Sequence, residues 1–319
     1  MVLRFPLKMI NPSDGIRNFL TVDVEDYFHV HVFSKVIKVG QWGQYDIRVE
    51  ENTRKILDLL SAHDIKATFF ILGWVAEKAP DLVKAIHRMG HEVASHGYWH
   101  KVIYGQTPSE FREDIKRSKS LLEDLIGEAI LGYRAPTYSI TRETLWALSI
   151  IREEGFRYDS SVFPIHHDNY GIPDAPRSPF LWDLKSCKPK AVAIKSSSED
   201  CRETVRKKWS AFPADLLEFP ISTVAIGSIN LPIGGGGYFR FLPYGATRMG
   251  LAHINKKDRM PFVFYIHPWE VDPNQPVIGN ISRMAKFRHY NNLLSCFSKL
   301  DRLMSDFQFG TIGNFLTRK

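Results

Sequence analysis

Asn18-Phe19-Leu20-Thr21-Val22-Asp23-Val24-Glu25-Asp26 is the stretch on which the fold turns. Residues 18–24 form a mostly apolar, β-branched run that reads as a buried strand. The strand runs directly into carboxylates. Alternate residues of a strand share a face, so Asp23 and Glu25 project together. Two carboxylates side by side repel unless a cation or a proton lies between them. Asp26, one position further on, reads equally well as a loop carboxylate or a helix cap.

Working outward, the same arrangement recurs. Residues 67–72, 91–95, 129–133, 156–158 and 261–266 carry strand signals. Between them lie helical stripes at 53–62, 75–89 and 141–154, with further helices at 244–257 and 282–304. Thr107-Pro108-Ser109-Glu110 is a helix start, with a capping threonine, proline at the first helical position and glutamate closing a capping box; that helix runs to about Ile126. Alternation of strand and helix predicts an α/β fold with a parallel sheet. Residues 162–240 are less regular, with many prolines, the Gly234–Gly237 run and strands or hairpins at 180–184, 216–221 and 226–231. The 319 residues are read as one domain with an irregular insertion around 162–240.

Asp23 and Glu25, His96, Arg134, Asp159 and His267 each fall at or just past the C-terminal end of a predicted strand. In barrels and open α/β sheets that end holds the active site. His96 and His100 are spaced to chelate from one helical face or one tight loop. With the acidic strand end they supply a two-histidine, one-carboxylate divalent metal site with a spare carboxylate. Which of Asp23, Glu25 and Asp26 is ligand and which is base stays open at this level. Arg134 is placed to hold a carboxylate bidentately, and His267 suits a general acid. His63, His87, His253 and His289 lie in or beside helices and read as surface residues. His29, His31, His166 and His167 read as loop histidines.

The net charge of +7 admits nucleic acid, membrane or acidic-glycan partners. The basic residues are scattered, with loose groups at 202–208 and 256–259 and no nucleic-acid motif, so a solvated surface is the simpler reading and no nucleic-acid partner is expected. No apolar run is long enough to span a bilayer. Residues 1–10 lack the pattern of a signal peptide. Three cysteines, Cys187, Cys201 and Cys296, match neither a disulfide framework nor a zinc cluster. A cytoplasmic location is the expectation, with peripheral contact at the inner membrane face left open.

Five segments together resemble the motifs of the NodB-type polysaccharide deacetylases, carbohydrate esterase family 4. They are Thr21-Val22-Asp23-Val24-Glu25, Ser95-His96-Gly97-Tyr98-Trp99-His100, Tyr133-Arg134-Ala135-Pro136, Tyr158-Asp159-Ser160-Ser161 and Ile266-His267-Pro268. Their order and spacing agree over about 250 residues. Asp23–Phe28, Gly235–Arg240 and His267–Pro273 are similar to a subgroup associated with bacterial exopolysaccharide and surface-glycan assembly. One departure stands out. Many family members have adjacent aspartates in the first motif, whereas here a residue intervenes and the ligand is a glutamate.

The resemblance implies a distorted (β/α) barrel, usually seven-stranded, here with extra hairpins and loops in the second half. It implies a divalent cation, zinc above others, held by Glu25, His96 and His100. Asp23 would be the general base, His267 the general acid, Arg134 the residue that orients Asp23, and Asp159 the residue that polarises His267. Substrate-binding roles are expected for Thr137, Tyr138, Gly236, Tyr238 and Trp269. The implied reaction removes N-acetyl groups from an amino sugar of a bacterial polysaccharide or its precursor. Two rivals stand beside it: hydrolysis of another linear or cyclic amide on the same scaffold, and an inactive glycan-binding relative.

Overall fold

The computed structural model describes residues 16–191 and 215–317, together with Glu203 and Lys207. The readings made for residues 1–10, for Cys201 and for most of 202–208 lie outside the described residues. In the first half, strands and helices alternate: β1 (Arg17–Val24), α1 (Val49–Ala62), β2 (Thr68–Ile71), α2 (Gly73–Lys78), α3 (Pro80–Arg88), β3 (Glu92–Ser95), α4 (Pro108–Ile126), β4 (Gly132–Tyr133), α5 (Trp146–Glu153) and β5 (Tyr158–Asp159). The second half holds β6 (Phe180–Asp183), β7 (Lys188–Ala191), β8 (Leu216–Glu218), the hairpin β9 (Thr223–Ile226) and β10 (Ile229–Pro232), α6 (Gly236–Phe241), α7 (Tyr244–Lys256) and β11 (Val263–Ile266). It ends with α8 (Arg283–Tyr290), α9 (Leu293–Asp306), β12 (Gln308–Gly310) and α10 (Ile312–Thr317).

The main sheet runs β11-β1-β2-β3-β4-β5-β8-β6-β7, with β12 also on β1. From β11 to β8 all pairings are parallel, seven strands along that path, and β12 is parallel to β1 as well. β6 and β7 extend the sheet antiparallel beyond β8. This is the expected α/β barrel, distorted at one seam. No ladder joins β8 to β11. The glycine run fills the gap instead: Tyr265 donates its N–H to Gly234 O at 2.8 Å, and Gly235 bridges to Tyr265. Gly235 has φ +128, and a Cβ there would sit 1.9 Å from the Tyr265 carbonyl oxygen. Only glycine permits both the angle and the approach.

Strand parity sorts the core into two layers. Leu20, Val22 and Val24 pack in the layer under the helices with Phe69, Ile71, Phe264 and Ile266. Phe19 packs in a second cluster with Phe70, Ala94, Tyr158, Leu217, Val263 and Tyr265, inside the barrel. Asp23 shares the parity of Phe19, so it too points inward.

Two predicted helices are each broken in two. The helix expected at 75–89 splits at Ala79 (φ −132, ψ 61), because Pro80 disfavours helical geometry in the residue before it. The helix expected at 282–304 splits at Asn291 and Asn292, the latter left-handed at φ 55. The start at Thr107 is as read, with both capping-box bonds present and left-handed Gly127 ending α4. No helix among the described residues is long and apolar enough to cross a membrane.

Candidate metal centre and cleft

The strand ends converge. Glu25, His96 and His100 each offer a ligand atom, and the three atoms lie within 4.8 Å of one another. Glu25 follows β1, His96 follows β3, and His100 comes from the loop after it. That loop is tight rather than helical: Gly97 has φ +73 and His100 φ +50. Asp114 on α4 holds it, accepting from Tyr98 N at 2.7 Å and Trp99 N at 3.1 Å.

The chemistry of this set suits a cation. His96 Nδ1 lies 2.8 Å from the Arg134 carbonyl, which can only accept, so the proton is on Nδ1 and Nε2 keeps its lone pair for a metal. Burial holds the His96 pKa down to about 4, so the ring is neutral at neutral pH. Burial alone would raise the Glu25 carboxyl, but His100, His267 and His96 keep it well below the usual range, so it is ionised. Glu25 Oε2 is buried with no aligned hydrogen bond, although His100 Nε2 is 2.6 Å away. A buried, ionised oxygen facing ring nitrogens in this way is what a cation between them would satisfy. Trp269 Nε1 donates to the other oxygen, Glu25 Oε1, at 3.2 Å.

Asp26 is not part of the set. Its carboxylate accepts from Tyr27 N, Arg48 N and Val49 N, capping the turn after β1 and the start of α1. Of the three acids, Asp23 and Glu25 face the cleft, and Asp26 serves the backbone.

Asp23 is held from two sides. Buried Arg134 donates from one terminal nitrogen to Asp23 Oδ1 at 2.6 Å and to Thr21 Oγ1 at 2.7 Å. Its remaining donors go to Ser160 O at 2.9 Å and Ser160 Oγ at 2.8 Å. Tyr138 Oη donates to Asp23 Oδ2 at 3.3 Å. His267 Nε2 stands 3.9 Å from Asp23 Oδ2 and 3.6 Å from Glu25 Oε1.

The expected partner of His267 is corrected. Asp159 is buried at the end of β5, accepts from Ser161 Oγ at 2.5 Å and pairs with Glu218 on β8. Burial and the Asp159 charge push the Glu218 carboxyl well up. The group that polarises His267 is Glu270, whose Oε2 lies 2.9 Å from His267 Nδ1. Arg240 Nε pairs with Glu270 Oε1 at 2.6 Å. Burial opposes the charged ring, yet the Glu270 contact, with Glu25 and Asp23 beyond it, raises the His267 pKa to about 9. Despite burial, Arg240 and His267 hold Glu270 down to about 2. Glu270 had a local signal, since it follows His267 by three residues in His-Pro-Trp-Glu. Arg240 had none.

Above these groups is a cleft of about 280 Å³. Thr137, Tyr138 and Trp269 line it, as expected, but two of them have other duties. Tyr138 serves Asp23. Trp269 donates to Glu25 and stacks against the His267 and His289 rings at 5.1 and 4.2 Å. Gly236 lies under the Tyr265 ring, where a Cβ would meet Tyr265 Oη at 2.4 Å; Gly237 lines the cleft in its place. Tyr238 packs against Phe163 and is also outside the lining. Tyr170, Tyr265 and Arg288, which the sequence reading passed over, line the cleft, and so does the loop histidine His31. His289, read as a surface residue, is buried and donates from Nε2 to Gln275 Oε1 at 2.7 Å.

Comparison with known proteins agrees with this geometry. Residues 42–158 match the polysaccharide deacetylase family model, and residues 190–317 match a domain of unknown function, DUF3473. The chain thus resembles polysaccharide deacetylases over one segment and DUF3473 over another, each less than half of its length. It is 41% identical over 98 residues to a peptidoglycan-N-acetylglucosamine deacetylase of Bacillus cereus, covering 30% of this chain and 36% of that protein. It is 32% identical over 114 residues to a peptidoglycan deacetylase of Helicobacter pylori, covering 36% of this chain and 37% of that protein. The matches thus span little more than a third of these relatives. A Mycobacterium smegmatis crystal structure, of a protein assigned as a polysaccharide deacetylase, shares the fold with a TM-score of 0.55 at 16% identity, over 98% of this chain and 91% of that one.

The site draws on both matched segments. His96, His100 and Arg134 fall in the first, Arg240, His267 and Glu270 in the second, and Asp23 and Glu25 precede both. The DUF3473 segment also supplies β11, which pairs with β1, so it completes the barrel.

Proposed function

We propose that this protein is a metal-dependent N-deacetylase that removes acetyl groups from N-acetylated amino sugars, releasing acetate. The observation that carries the reading is the placement of Asp23, tied to Arg134, and of His267, tied to Glu270, beside the Glu25, His96 and His100 ligand set. A divalent cation held by that set, zinc being our choice, would polarise an acetamide carbonyl and acidify a water.

The chain's own groups do the rest. Asp23 presents Oδ2 to take a proton from the attacking water, because Oδ1 is tied to Arg134. Thr137 sits at φ 56 beside the cleft, and its N–H is our candidate donor to the developing oxyanion. His267, protonated below about pH 9, gives its Nε2 proton to the departing amine nitrogen, which cannot leave as an anion. The C–N bond breaks, and acetate and the free amino sugar result. N-acetylglucosamine in a bacterial surface polysaccharide or its precursor is the substrate class we favour. The relatives' substrates and the surface-glycan motif resemblance support it, as does the cleft rimmed by Tyr170 and Tyr265.

Metal content and acetate release from N-acetylated oligosaccharides test the reading in wild type, Asp23→Asn and His96→Ala. We expect metal in wild type and Asp23→Asn but not in His96→Ala, with acetate release lost in both variants. A metal-replete wild type that binds no cation would overturn it.

A further inference from the structure

We propose that the face formed by the end of α6, by α8 and by the start of α9 docks onto an anionic phospholipid bilayer, with the cleft opening beside the lipid surface. Phe241, Met284, Phe287, Leu294 and Phe297 all lie on these three elements and are exposed, from 39% for Phe297 to 86% for Leu294. They are neighbours. The Phe241 and Phe287 rings are 6.4 Å apart. Asn292 Nδ2 donates to Arg240 O, and Lys299 Nζ to Arg240 O and Leu242 O, tying α9 to the end of α6. Helix α8 turns Ala285 and His289 inward, so Met284 and Phe287, three apart, share its outer side.

Charge identifies the partner. Arg283, Lys286 and Arg288 stand exposed on α8, and none of them is ion-paired among the described residues. Residues 219–257 and 273–300, which include all of α6 and α8, contain no Asp or Glu. Exposed Phe, Leu and Met bordered by cations with no carboxylate match an interface of acyl chains and anionic headgroups. A second copy fits less well, because a twofold contact would set the same unpaired cations against each other. Ala285, Arg288 and His289 of α8 also line the cleft. The docked helix would therefore bring the cleft to the membrane, where a lipid-linked glycan is held.

Docking does not depend on the deacetylase reading, and its test is separate. The full chain is co-sedimented with vesicles of phosphatidylcholine alone and of phosphatidylcholine containing phosphatidylglycerol. Wild type should bind the anionic vesicles and be released by salt. Phe287→Ser with Leu294→Ser, and separately Arg283→Glu with Lys286→Glu, should each weaken partitioning about tenfold or more. Both should keep the wild-type unfolding midpoint and acetate release from a soluble oligosaccharide. Absence of wild-type binding, or binding unchanged in both variants, overturns the proposal. So does a wild-type dimer in sedimentation velocity that Phe287→Ser with Leu294→Ser dissociates, since the face would then join two copies.

Discussion

Glu270 and His267, three residues apart in one turn, form an ion pair in which the carboxylate accepts from the ring at 2.9 Å and keeps the imidazole charged up to about pH 9. Arg240 anchors the far side of the same carboxylate. The order guanidinium, carboxylate, imidazolium ends at the cleft with a proton to give.

This order sets a pH dependence. The His267 proton is bound below about pH 9, so deacetylation should fall as pH rises through that value. In Glu270→Gln the main group raising the pKa is gone, and the alkaline limb of kcat/KM should move to lower pH. A profile unmoved by Glu270→Gln would assign that limb to another group.

Arg240 and Glu270 are both buried. Arg240→Met leaves the carboxylate without its guanidinium and should cost about 3–5 kcal/mol in denaturant unfolding. Arg240→Met with Glu270→Leu removes both charges and should recover part of that loss while leaving kcat low.

Asp26 and Glu25 should separate stability from metal binding. Asp26→Ala removes the acceptor of three backbone N–H groups and should lower stability by about 1–2 kcal/mol with the metal retained. Glu25→Gln should do the reverse, losing metal with the unfolding midpoint of the metal-free protein nearly unchanged. Metal loss in Asp26→Ala at full folding would reverse the assignment.

Cation binding should register as stability. A free cation at a hundred times its Kd should stabilise the protein by about 2.7 kcal/mol, and chelation should remove that increment. His96→Ala should show no such increment.

Gly235→Ala tests the seam. With a Cβ 1.9 Å from the Tyr265 oxygen and φ at +128, the substitution should cost about 3 kcal/mol or prevent accumulation of folded protein. Gly245→Ala, with open space around it, should be near neutral.

By itself the sequence determined what is local and periodic. Strand parity turned Asp23 and Glu25 to one side, the alternation of strand and helix signals set a parallel α/β sheet, and the Thr107 to Glu110 capping box fixed the start of α4. The histidine pair and the acidic strand end were legible as a ligand set because His96 and the carboxylates follow strands, while Glu25 as the acid in it came from the family resemblance. Helix breaks at Ala79 and Asn292 were less so, since one apolar stripe continues through both and hides the change of direction. Only the tertiary structure decided which partner each charge took. Arg240 reaches Glu270 across 30 residues, Asp159 turns to Glu218 instead of His267, and Trp269 gives its indole N–H to Glu25. Burial compels each of these charged and polar groups to find a partner. Which one is nearest depends on how the strands are staggered around the barrel, and spacing along the chain does not encode that.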